Sequence, residues 1–179
     1  MSLFLATLIP ALLLVAAGAL LLWNAPVVSA TARAFPRSRR AVYVLFGLGA
    51  GWFLYIVTRL TEADFGNYKL VLFIVFAAIA ILSFKLVPDF LAVRGLAVLV
   101  LLAAGSFLSA AFMQWDYPQR LFMVALVYVV IIASLFLAGY PYRMRDFLDW
   151  LFARPSRART AGMLCGGYGL LLAIVSFTY

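Results

Sequence analysis

Residues Leu121 to Gly139 read LFMVALVYVVIIASLFLAG, nineteen residues without one Asp, Glu, Lys or Arg. At about 1.5 Å of rise per residue such a helix reaches about 28 Å, close to the roughly 30 Å hydrocarbon core of a bilayer. No water is available in that core, so the backbone must satisfy its own N–H and C=O groups, and a helix does so within a single segment. Five more stretches read the same way, at about Leu3 to Trp23, Ala41 to Thr58, Leu70 to Phe84, Leu91 to Met113 and Ala161 to Phe177. The expectation is an all-α polytopic membrane protein, one bundle of about six transmembrane helices in a single domain over residues 1–179. The third stretch is short and bounded by Lys69 and Lys85, whose side chains can snorkel to the two interfaces. Val28-Ser29-Ala30 after the first stretch resembles a signal-peptidase site. No Lys or Arg precedes that stretch, however, and it exceeds the usual apolar region of a signal, so a retained span is expected.

Composition agrees with this reading. Of 179 residues 68% are hydrophobic and 11% charged, against roughly 45–50% apolar in a soluble domain. Most apolar surface must therefore face lipid or other helices. The chain has no histidine, which excludes a His-ligated haem and His-based metal centres. Cys165 is the single cysteine and has no partner for an internal disulfide. Neither cofactor nor metal is expected.

The net charge of +8 would point to nucleic acid in a soluble protein. In a membrane protein it reports orientation, because cytoplasmic loops retain Lys and Arg. The first loop holds Arg33, Arg37, Arg39 and Arg40, the third Lys85 and Arg94, and the fifth Arg143, Arg145, Arg154, Arg157 and Arg159. Eleven of the fourteen cations thus fall on one side. The other side has Arg59, Lys69 and Arg120, balanced by Glu62, Asp64 and Asp116. Both termini are expected outside the cytoplasm, in a plasma (inner) membrane of bacterial type, with no nucleic-acid partner.

In the fifth loop Met144, Phe147, Leu148, Leu151 and Phe152 recur at helical spacing opposite Arg143, Asp146 and Asp149, which predicts a short interfacial amphipathic helix. Arg145 and Asp149 stand at i, i+4 and are expected to pair. Pro155 is expected to end this helix, with Arg157 and Arg159 leading into the last span.

A self-comparison lays Arg40 to Leu54, RAVYVLFGLGAGWFL, over Arg94 to Leu108, RGLAVLVLLAAGSFL, with Gly51 on Gly105 and Phe53 on Phe107. Lys69-Leu70 then falls on Arg120-Leu121. The match is that of a duplicated two-helix hairpin, residues 40–84 and 94–136 in one orientation, or of two apolar helices agreeing by chance.

Small residues four apart let helix backbones approach closely in lipid. Gly47 and Gly51, Gly105 and Ser109, and Gly162 and Gly166 have this spacing and are the candidates for helix packing or partner contact. Arg39, Arg40, Arg143, Arg145, Arg157 and Arg159 are the candidates for anionic lipid headgroups or an acidic partner. Asp116 lies between Trp115 and Tyr117 in a short turn and reads as a solvated interfacial carboxylate. Glu62 and Asp64 are the close carboxylate pair, with no nucleophile, base or metal-ligand spacing beside them. No span carries an ionisable residue near its middle, the usual mark of ion-coupled transport; Arg59 and Arg94 sit within about a turn of an interface.

These readings favour a non-catalytic subunit, scaffold or assembly factor of a larger membrane complex, with lipid and other membrane chains as partners. The alternative is a small transporter or channel, homo-oligomeric, for a small or apolar solute. An enzyme acting on lipid ranks third, since it would need a polar constellation that the sequence does not offer.

Overall fold

A computed structural model describes residues 1–86 and 89–179, and the described residues are helices joined by short turns. The helices are α1 (Leu3–Trp23), α2 (Pro26–Ala34), α3 (Arg39–Thr58), α4 (Lys69–Leu86), α5 (Leu91–Ala111), α6 (Arg120–Gly139), α7 (Tyr142–Phe152) and α8 (Pro155–Ser176). Six of them, α1, α3, α4, α5, α6 and α8, are long and apolar enough to cross a bilayer. The chain is an all-α, multi-pass membrane protein. A large part of its aliphatic and aromatic surface points outward, as at Leu13, Leu48, Ile74, Ile132 and Leu164. That exposure fits a lipid solvent and would be untenable in water.

Local chemistry sets the helix ends. Ser2 caps α1, its hydroxyl accepting from the Leu5 N–H at 3.4 Å. Asn24 closes the same helix in the left-handed conformation (φ 47°), with its N–H on the Leu20 carbonyl. Pro10 lies within α1 and the helix continues through it. α7 stops at Phe152, short of Pro155 as expected, and Pro155 in addition starts α8 as the first helical residue. There its missing N–H is no loss and its fixed φ is already helical. Arg157 and Arg159 consequently lie on the first turns of α8. A second short helix, α2, joins α7; Pro26 at its start and Arg33 in its last turn are the sequence marks of it.

Two contacts hold the bundle. α1 and α8 run antiparallel along their whole length: Phe4 meets Phe177 edge-on at 5.5 Å, the Thr7 hydroxyl hydrogen-bonds with the Tyr179 hydroxyl at 3.1 Å, and Gly18 faces Gly162 and Gly166. The second contact is α5 against α3, on one side, and α6, on the other. α1 also reaches α5 and α6, so Leu3, Ala6, Ala11, Ala104, Ala111, Met123, Val127 and Leu172 form one buried cluster at the end that carries both termini. Tyr168 of α8 adds a link to α6 by donating to the Phe122 carbonyl at 2.9 Å.

α4 stands apart, with no buried residue. It touches α3 through aromatic rings, Phe76 on Phe53 at 5.0 Å and Phe84 on Phe46 at 5.1 Å. The positions matched in the self-comparison occupy like places. Arg40 and Arg94 lie in the first turns of α3 and α5, and Lys69 and Arg120 begin α4 and α6. The surroundings differ, since α4 is bare where α6 buries Met123, Val127 and Ser134.

Candidate interaction surfaces

The glycines separate into two groups by what surrounds them. In the first, a methyl group would strike backbone. A Cβ on Gly18 would lie 2.6 Å from the Gly166 nitrogen, and one on Gly169 2.8 Å from the Val15 nitrogen. A Cβ on Gly162 would be 3.0 Å from the Gly18 oxygen. Here the absence of side chains lets α1 and α8 approach backbone to backbone, which favours the van der Waals packing that helps hold helices together in lipid. Gly162 and Gly166 are therefore packing residues of this chain, with Gly18 as their counterpart. Gly95 of α5 plays the same part at α3, where a Cβ would come within 2.5 Å of the Phe46 nitrogen. That contact falls on a five-residue π-helical segment, Val42–Phe46, inside α3.

In the second group, Gly47, Gly51, Gly105, Gly139 and Gly167, a Cβ would meet no neighbouring atom within 4 Å. These residues do not pack within the chain. Ser109 is also exposed, and its hydroxyl donates to the Gly105 carbonyl at 2.8 Å. The small-residue notches of α3 and α5 thus open outward. The contact between α3 and α5 uses Gly49 and Gly95 instead, with Val98 and Leu99 against Gly49.

The basic loops gather at the opposite end from the termini. Arg33 Nε lies 3.5 Å from an Asp149 carboxylate oxygen, tying the first loop to α7, and the Arg37 guanidinium stands 5.8 Å over the Phe90 ring, tying it to the third. Arg145 pairs with neighbouring Asp146 at 2.8 Å, because Asp149 is turned toward α2 and taken by Arg33. Arg157 stacks 4.7 Å over the Trp150 ring and donates to the Trp150 carbonyl at 3.0 Å, clamping α8 to α7. Arg143 lies over Tyr142 at 5.6 Å. Arg39, Arg40 and Arg159 head no ion pair among the described residues and leave their charge to the surroundings.

At the terminus-bearing end, Arg120 stands 4.9 Å over the Trp115 ring, and one of its guanidinium nitrogens is buried without a hydrogen-bond partner. Gln119 beside it donates to the Thr178 hydroxyl at 3.1 Å and so holds the fourth turn to the chain's end. Among the described residues no group of three His, Cys, Asp or Glu side chains comes together as a metal site would require.

Grooves lie between the helices. One, of about 450 Å³, is walled by apolar side chains from Ile9 and Pro10 of α1, Trp52 of α3, Phe107 of α5 and Val127 of α6. A second, of about 510 Å³, adjoins it at Trp52 and reaches Ile56, Ser106 and Ser109. A third, of about 250 Å³, lies between α3, α4 and α5 around Phe53 and Phe76.

No family model, curated protein or solved structure matches this chain.

Proposed function

We propose that the chain is a non-catalytic subunit, scaffold or assembly factor of a larger membrane complex. The observation that carries this reading is the outward notch at Gly47/Gly51. A glycine in a helix interior costs about 1 kcal/mol relative to alanine, and at these positions the chain gains no contact in exchange. A neighbouring helix seated on α3 would use them. The bare α4, with no buried residue, offers further surface to a neighbour. The apolar lining of the groove at Pro10 and Trp52 argues against a carrier of polar solute, which must replace lost water with hydrogen bonds.

The same reading places the protein in the plasma (inner) membrane of a bacterial cell, with α7 and the arginine-rich loops in the cytoplasm and both termini outside. The eleven-to-three split of cations supports it. Reporter fusions at either terminus should be active only outside the cytoplasm, and a fusion within the loop of residues 143–159 only inside. A terminal fusion active solely in the cytoplasm would overturn the orientation. Arg39, Arg40 and Arg159, without ion-pair partners, would meet anionic headgroups there, each adding about 1 kcal/mol of attraction. Duplication of a two-helix hairpin accounts for the like placement of Arg40 with Arg94 and Lys69 with Arg120. The size of the particle that carries the chain out of its native membrane tests the subunit reading.

A further inference from the structure

Beside the outward notch of α5 the two adjoining grooves differ in polarity along their length. The deep one meets apolar side chains from Pro10, Trp52, Ala103 and Phe107. The shallow one, nearer the termini, has Gly105, Ser106 and Ser109 on its floor. We propose that together they hold one phospholipid from the leaflet at the terminus-bearing end, an acyl chain in the deep groove and an ester carbonyl at the Ser106 hydroxyl. This goes beyond the subunit reading and does not depend on it.

Three observations carry the assignment. The first is the gradient itself, apolar in depth and hydroxyl-bearing at the mouth, which is the order of groups along a lipid from tail to glycerol. The second is Ser106. Ser109 satisfies its hydroxyl on the Gly105 carbonyl at 2.8 Å, and Ser83 and Thr160 bond back to their helices in the same way. Ser106 makes no such bond among the described residues, and a hydroxyl in an apolar medium is costly until an acceptor reaches it. An ester carbonyl is such an acceptor and has no hydrogen of its own to place.

The third is length. The deep groove follows α5 from Leu99 to Phe107, a rise of about 12 Å, and the shallow one continues along the same helix to Ala110. Together they run with a spanning helix for about the depth of one leaflet, half of a hydrocarbon core of roughly 30 Å, which is the direction and reach of an acyl chain.

The test uses the full chain with Trp23, Trp115 and Trp150 changed to Phe, leaving Trp52 as the sole fluorophore. The protein is purified in detergent, stripped of lipid and titrated with a phosphatidylglycerol brominated at mid-tail. Trp52 emission should fall by more than half and saturate at a single lipid per chain. Ala103→Phe, which fills the deep groove, should abolish the saturable quench, whereas Val129→Phe on the exposed face of α6 should leave it intact. Ser106→Ala should weaken the lipid by about five-fold, the loss of one neutral hydrogen bond, and keeps the test decisive if Ala103→Phe fails to fold. Quenching that rises without saturation, or that is equal in wild type and in both groove variants, overturns the proposal. So does an unquenched Trp52 in a protein that elutes as a dimer, since a second copy would then cover the groove.

Discussion

Gly18→Ala is expected to loosen the α1–α8 pair, and Gly18→Leu to part it. The added Cβ would stand 2.6 Å from the Gly166 nitrogen and 2.8 Å from the Gly162 oxygen, where ordinary contact begins at 3.4 Å. Both are backbone atoms and cannot rotate aside, so the helices themselves must separate. Separation reaches beyond one site, because Ala11 and Val15 against Gly169 and Thr7 with Tyr179 belong to the same pair. Overpacking of this kind costs about 1–3 kcal/mol. For a chain of this size that lowers the thermal midpoint by roughly 2–4 °C per kcal/mol. Scanning fluorimetry in detergent should show a drop of about 5 °C for alanine and a larger one for leucine. An unchanged midpoint for both would mean that the helices do not meet at Gly18.

Gly51→Leu is expected to do the opposite on the isolated chain. A Cβ there touches no atom within 4 Å, and leucine is the better helix former by nearly 1 kcal/mol, so the midpoint should hold or rise slightly. What should be lost is the partner. Filling the notch keeps a second helix from approaching α3 closely, and recovery of associated chains should fall by at least about ten-fold, a loss near 1.4 kcal/mol. Gly166→Leu should not copy this result. A Cβ on Gly166 would stand in ordinary contact, 4.0 Å from the Gly18 Cα, and the further carbons of leucine would press on α1, so stability should fall first, by less than for Gly18→Leu. Equal midpoints for Gly51→Leu and Gly166→Leu would contradict the division of glycines into inner and outer.

The spans were legible because each is an apolar stretch whose few charges lie near its ends, and the first, Leu3–Trp23, has the ends that composition indicates. The start of α8 was harder to place, since a proline that follows an amphipathic helix reads equally as its stop or as the first residue of the next one. The i, i+4 glycine pattern marks a face but not what lies opposite. Gly162/Gly166 and Gly47/Gly51 look alike in sequence, yet only the first pair has a helix on it. Gly18 and Gly95 carry the two closest approaches between helices and have no small residue four positions away to complete the motif; their complements lie on other helices. Arg145 and Asp149 were correctly spaced to pair, but spacing along one helix cannot register that α2 brings Arg33 to the same carboxylate. The groove at Trp52 is invisible along the chain because it exists only where α1 and α3 leave part of α5 uncovered.

The subunit reading is tested most directly by extracting the chain from its native membrane in a belt of lipid and polymer, without detergent, and measuring the mass of the particle and its protein content. The account predicts a particle holding further membrane chains in fixed ratio, well above the 19.7 kDa of this chain, and predicts that Gly51→Leu returns it to a lone, folded bundle. A particle of one chain only, which moves ions or a solute across liposomes without any partner, would contradict it and establish transport in its place.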